Sequence, residues 1–85
     1  MSKTIPAPRL HADHTLDISR EICPMTFVRT RLALDRMAPG ETLLVTLAGA
    51  EPRRNVPASA RALGHAVLAE EDGPDGITRL WLRRA

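Results

Sequence analysis

The residues best suited to chemistry lie together in Glu21-Ile22-Cys23-Pro24-Met25-Thr26. Cys23 is the single cysteine of the chain, and Pro24 follows it at the start of the most helix-like segment. Proline suits a first helical position, where its missing N–H is not needed and its fixed φ already matches the helix. Cys23 is then the expected N-cap residue. A thiol at that place faces unpaired backbone N–H groups and the positive end of the helix dipole, and both favour thiolate over thiol. The opposing reading is a small buried hydrophobe, since free cysteine ranks among the most buried residue types. From the residues alone the two readings stand level.

The elements that must position this thiol follow from hydrophobic period and turn residues. His14 to Ser19 alternates as a short strand, with Leu16 and Ile18 on one face. Arg20 to Ile22 connects it to Cys23, which puts the thiol at the rim of a sheet. Pro24 to Met37 reads as a helix stopped by Ala38-Pro39-Gly40. Phe27, Thr30, Leu34, Met37 and Ala38 form the expected sheet-facing stripe. Met25, Val28 and Leu32 fall on another side, beside Arg29 and Arg36. They either pack on a neighbouring helix or form an exposed docking patch for a protein that reaches the thiol.

Glu41 to Ala48 reads as a central strand with Leu43, Val45 and Leu47 on one face. Gly49 to Pro52 breaks it, and a second, two-turn helix is expected with Asn55 or Val56 near its cap, Pro57 near its first position and Gly64 as its stop. Arg53 and Arg54 precede that helix and read either as a solvated basic turn or as cations approaching the thiol end. His65 to Ala69 forms a third strand, Gly73-Pro74-Asp75-Gly76 a turn, and Ile77 to Arg83 a fourth strand. There Leu80 and Leu82 alternate with Arg79, Trp81 and Arg83, so Trp81 falls on the face away from the helices. It is either a partly covered surface aromatic stacked by arginines or part of an association surface. The order β-α-β-α-β-β predicts an α/β (α+β) two-layer sandwich, with both helices on one face of a four-stranded mixed sheet.

Composition narrows the functional classes. Eighty-five residues make one domain with a modest core; residues 1–12, with Pro6 and Pro8 and no apolar period, read as a flexible tail ahead of a domain spanning 13–85. One cysteine excludes an internal disulfide and a cysteine-based zinc site, and makes the reducing cytoplasm the expected compartment. His11 and His14 lack companions to complete a metal ligand set. No apolar run approaches the ~20 residues of a membrane span. A net charge of +2, with one Phe, one Trp and no Tyr, gives neither a strong basic field nor a stacking platform for nucleic acid. No glycine-rich phosphate loop, carboxylate pair or Ser-His-Asp set occurs, and no cofactor is called for.

Several short features occur in a characteristic order: Leu16-Asp17 ahead of the thiol, Cys23-Pro24, Pro39-Gly40-Glu41 before an apolar strand, Glu51-Pro52, Val56-Pro57, Gly64-His65 and a closing strand with a basic end. In these the chain resembles the TusA/SirA-like sulfur-carrier family from about Leu16 to Arg84. The resemblance implies a two-layer sandwich whose Cys-Pro-x-Pro cysteine, here Cys23, accepts sulfane sulfur as a persulfide and hands it on, so that the protein acts as a sulfurtransferase of the carrier type. It implies a donor protein of cysteine desulfurase or rhodanese type and an acceptor protein; the composition itself points to no membrane partner and away from direct nucleic-acid binding. Thr26 stands where that motif has its second proline, and Arg20 where a glycine is usual. Arg20 would add positive potential beside the thiol and Glu21 would oppose it. The competing readings are a non-enzymatic protein- or RNA-binding regulatory module on the same fold, and a redox sensor that lacks a resolving cysteine.

Overall fold

Apolar residues at every second position of Thr42–Ala48 make β2, the strand on which the rest is laid: Leu43, Val45 and Leu47 are fully buried, and the residues between them are half-buried. The computed structural model describes residues 12–21 and 25–85. In chain order the elements are β1 (His14–Asp17), α1 (Met25–Asp35), β2, α2 (Ala50–Ala62), β3 (Ala66–Asp72) and β4 (Ile77–Arg83). The predicted tail, apart from Ala12, lies outside the described residues. No described helix is long and apolar enough to cross a membrane.

The strands lie in the order β1-β2-β4-β3. β1 runs parallel to β2, while β4 pairs antiparallel with both β2 and β3. β3 is therefore parallel to β2, and the sheet contains two parallel crossovers, β1-α1-β2 and β2-α2-β3, that step in the same direction. Right-handed connections then place both helices on one face, and Leu34, Met37, Val56 and Ala60 from the helix layer share one core with Ile18, Leu43, Val45, Leu47, Leu80 and Leu82 from the sheet. Each Leu, Ile, Val or Met side chain among these stabilises the fold by roughly 1.5–3 kcal/mol when fully buried. The α+β sandwich expected from the sequence is the fold observed.

Four elements have a boundary two or more residues from the expected one. β1 stops at Asp17 rather than Ser19, because the Asp17 carboxylate turns back to accept from Ser19. α1 ends at Asp35 rather than Met37; Arg36 and Met37 bond to the carbonyls three residues back, which tightens the last turn. Ala38 leaves the helix exposed, with its N–H donating to Glu41 Oε1. The stripe that α1 buries is Thr26, Thr30 and Leu34, followed by Met37; Phe27 is only half-buried.

The third correction is α2, which runs for 13 residues from Ala50 instead of two turns from Val56. Pro52 sits in the first turn, where no N–H is required, and Pro57 lies inside the helix with both prolines buried. Gly49, at φ 98°, supplies the sharp entry from β2. The fourth is β3, which continues past Ala69 to Asp72. Its acidic end is held by cross-strand and cross-layer cations, Arg79 on Glu71 and Arg53 on Asp72.

On the outer face, away from the helices, Leu44, Trp81 and Ala69 stand in register across β2, β4 and β3. Trp81 keeps its expected face but is only 5% exposed, more enclosed than a partly covered surface aromatic.

Candidate functional site at the helix N-termini

Strand direction gathers the site at one end of the sheet. β1 and β2 are parallel and finish there; β4, antiparallel, begins there, with Ala48 opposite Ile77. The turn 18–21, the start of α1, the start of α2 and the β3–β4 hairpin share that end. It is the carboxyl end of the parallel strands, where open α/β sheets place their ligands, and two helix dipoles present their positive ends to it.

Cys23 and Pro24, singled out by the sequence, lie outside the described residues. The chain is described up to Glu21 and again from Met25. On the incoming side, the Ser19 hydroxyl donates to Asp17 Oδ1 at 2.7 Å and the Ser19 N–H donates to the same oxygen at 2.9 Å. These bonds, with Arg20 nearby, hold the Asp17 carboxyl below the ordinary carboxylate range. The Glu21 N–H donates to the Ile18 carbonyl at 3.1 Å, closing the turn. Arg20 is exposed, while Glu21 is half-buried and accepts from Arg29 Nη1 at 3.1 Å. The negative charge beside the cysteine position is thus offset by a cation from the second turn of α1. That pairing across eight residues was not legible in the sequence, although Glu21 and Arg29 were both in view.

On the outgoing side, α1 inverts the usual pattern of an amphipathic helix. It buries the hydroxyl residues Thr26 and Thr30, at 2% and 1% exposure, and leaves Met25, Val28 and Leu32 at 43%, 37% and 49%. Of the two sequence readings for these three, packing on a neighbouring helix is therefore wrong. Helix α2 meets α1 from another side. Thr30 tolerates burial because its hydroxyl donates to the Thr26 carbonyl at 2.8 Å, one turn back. Met25, Val28 and Leu32 form one stripe at i, i+3, i+7 with Arg29 and Arg31 beside it. Arg29 holds Glu21, and Arg31 lies 3.9 Å from Asp35.

Arg53 and Arg54 lie in the first turns of α2 rather than in a turn before it. Arg53 Nη2 donates to Asp72 Oδ2 at 2.8 Å, and Nε lies 3.8 Å from Glu70. The structure brings Arg53 to the carboxylates of β3, ahead of the hairpin, an exposed pairing that contributes little to stability. Arg54 is exposed. Among the described residues no cluster of three or more His, Cys, Asp or Glu could hold a metal ion.

The opposite end of α1 is tied down by a separate network. Glu41 Oε1 accepts from the Ala38 N–H at 2.9 Å and from His14 Nε2 at 2.9 Å, and these bonds hold its carboxyl below the usual range. Arg84 Nε donates to the Leu34 carbonyl at 2.7 Å.

Comparison with known proteins adds three findings. The family model described as Sulfurtransferase TusA matches residues 14–84. A protein of Archaeoglobus fulgidus, named as a candidate sulfur carrier, is 39% identical over 71 residues, covering 84% of this chain and 81% of its own; one of Thermotoga maritima, named likewise, is 43% identical over 61 residues, covering 71% and 77%. Among solved structures, the SirA-like protein of Desulfitobacterium hafniense superposes with a TM-score of 0.72 at 20% identity, over 82% of this chain and 95% of that one. At that identity it speaks for the fold.

Proposed function

The chain belongs to the TusA family, and from that premise we propose that it is a sulfur carrier whose Cys23 takes up sulfane sulfur as a persulfide from a donor protein and passes it to an acceptor protein. The observation that carries the reading is the family match over residues 14–84, which contains one sulfur nucleophile, the chain's single cysteine. The donor is of cysteine desulfurase or rhodanese type, and the compartment is the reducing cytoplasm, where the thiol stays free.

The chemistry is thiol exchange extended by one sulfur atom. The Cys23 thiolate attacks the outer sulfur of the donor persulfide R–S–SH. A Cys23 S–S bond forms, the donor's S–S bond breaks, and R–S⁻ leaves with the electron pair. The acceptor thiolate then attacks the outer sulfur on Cys23 and releases the Cys23 thiolate. No external oxidant or reductant is consumed, and no general base is needed once the thiol is ionised. The convergence of two helix N-termini at this end of the sheet favours the anionic forms of both thiol and persulfide. Arg20 adds to this potential, and the pairing of Glu21 with Arg29 reduces the opposing charge.

The exposed stripe Met25, Val28 and Leu32 is the docking surface for donor and acceptor in this reading, since it is apolar, runs from the cysteine end and is uncovered by α2. Arg53 and Arg54 flank the same end of the molecule. The test is loading: protein incubated with a cysteine desulfurase and cysteine gains the mass of one sulfur atom, removed by reductant, and Cys23→Ser does not. Failure to load from both desulfurase and rhodanese-type donors, or equal loading of the serine variant, refutes the proposal.

A further inference from the structure

The face that α1 turns to water carries charge as well as apolar surface, and the charge is unevenly placed. At about 100° per residue, Met25, Val28 and Leu32 lie opposite the buried Thr26, Thr30 and Leu34. Arg29 and Arg36, seven residues apart, border the stripe on one side; Arg31 and Asp35 border it on the other, and all four are exposed. Arg31 Nε lies 3.9 Å from Asp35 Oδ2, so that border is close to neutral. The border with Arg29 and Arg36 is cationic. Glu21 offsets one cation, at 3.1 Å from Arg29 Nη1, while Arg36 has no ion pair among the described residues. Arg20, in the turn that also holds Glu21, adds another exposed cation. Glu21 follows the edge strand β1, which marks the cationic border as the one turned toward that edge and away from α2.

An apolar stripe with cations along one side fits a protein surface of the complementary pattern. Nucleic acid would need cations across the contact itself, since phosphate contacts supply most of its affinity, and here the centre of the face is apolar. We propose that the sulfur-donor protein docks on α1 with an apolar patch over Met25, Val28 and Leu32 and with carboxylates on one side of that patch, against Arg29 and Arg36. The inference rests on the reading of the chain as a carrier loaded by another protein. The apolar contact excludes water from the centre of the interface. The one-sided charge decides which way round the donor sits and speeds its approach.

The test reads association apart from transfer. Binding kinetics are measured on the full chain carrying Cys23→Ser, against a purified cysteine desulfurase and a purified rhodanese-type protein, at about 50 and about 300 mM NaCl, where screening differs strongly. Circular dichroism checks that each further variant is folded. Arg36→Glu lowers the association rate by about tenfold at the lower salt and by about twofold or less at the higher, while Asp35→Lys raises it by about threefold at the lower salt. Arg36→Lys, which keeps the charge, stays within about twofold of the parent. Opposite signs from two neighbouring exposed positions report charge and not folding. Rates that ignore both reversals, or that move the other way, overturn the proposal. The absence of binding to either protein overturns it too, as does binding of bulk tRNA that Arg36→Glu abolishes while the two proteins bind as before. Sulfur loading is read separately, by mass, in the chain with Cys23. Charge-dependent binding without loading refutes the carrier reading and leaves the docking surface standing; loading with charge-independent binding does the reverse.

Discussion

Replacing Arg84 by methionine separates what holds α1 in place from what the helix carries. Arg84 follows β4, and its backbone is fixed by bonds with Gly40 and Glu41 at 2.9 Å each. Its Nε donates at 2.7 Å to the carbonyl of Leu34, in the last turn of α1, where carbonyls lack helical partners and the dipole is negative. A hydrogen bond to a charged group contributes about 1.5–3 kcal/mol, and a cation at a helix C-terminus about 0.3–1 kcal/mol more. Two facts lower the sum. Leu34 O keeps a second bond from the Met37 N–H at 3.1 Å, and the guanidinium is only partly buried. Methionine also retains much of the apolar stem.

The expected loss is therefore about 1–2 kcal/mol. For a domain of this size that lowers Tm by roughly 4–8 °C per kcal/mol. Urea unfolding followed by circular dichroism measures it, and Arg84→Lys, which keeps the charge but not the planar N–H, recovers only part. The 11 residues of α1 place Arg84 about 16 Å from the cysteine end, so alkylation of Cys23 in the folded variant proceeds at the wild-type rate. A loss under about 0.5 kcal/mol, the scatter of neutral surface changes, refutes the anchoring role. Altered alkylation in the folded protein refutes the independence of the two helix ends.

Two further outcomes test other parts of the argument. Leu32→Asp changes an exposed position, so stability moves by no more than about 0.5 kcal/mol, while sulfur transfer to or from a protein partner slows and alkylation by a small reagent does not; equal transfer removes the stripe from the docking surface. Asp17 and Glu41 have folded-state pKa values below their ordinary ones, through Ser19 and through Ala38 with His14 respectively. The unfolded chain therefore takes up these protons first as pH falls. Their stabilising effect is complete above the ordinary carboxylate range, and it disappears as acid brings pH down through the lowered values. Asp17→Asn and Glu41→Gln should flatten the stability profile below about pH 4, and profiles that superpose on the wild type's contradict the assignment.

Much of the fold was legible because half-buried strands impose a period of two that few sequences carry by accident. Leu43, Val45 and Leu47, then Leu80 and Leu82, marked β2 and β4 and the face each turns to the helices. What was not legible depended on partners far away in the chain. Pro52 and Pro57 look like breaks until the first turn of α2 and the burial of both rings are known. Glu70, Glu71 and Asp72 look like a loop, because a strand rarely ends in three acids; Arg53 and Arg79 make it tenable.

The candidate site divides along the same line. The Cys23-Pro24 pair and its place before a helix are local features, open to reading from one stretch of chain. The face that α1 buries is a different matter, since its period fits two stripes and only the sheet beneath selects one. It selects Thr26, Thr30 and Leu34 over Phe27 and Ala38. That selection has two consequences for chemistry. It turns Met25, Val28 and Leu32 outward beside the cysteine position, where an apolar stripe can meet a partner, and it takes Thr26 out of water, where a hydroxyl must find an acceptor within the protein. In the sequence Thr26 was a substitution in a motif. Its burial makes it part of the packing of α1 on the sheet.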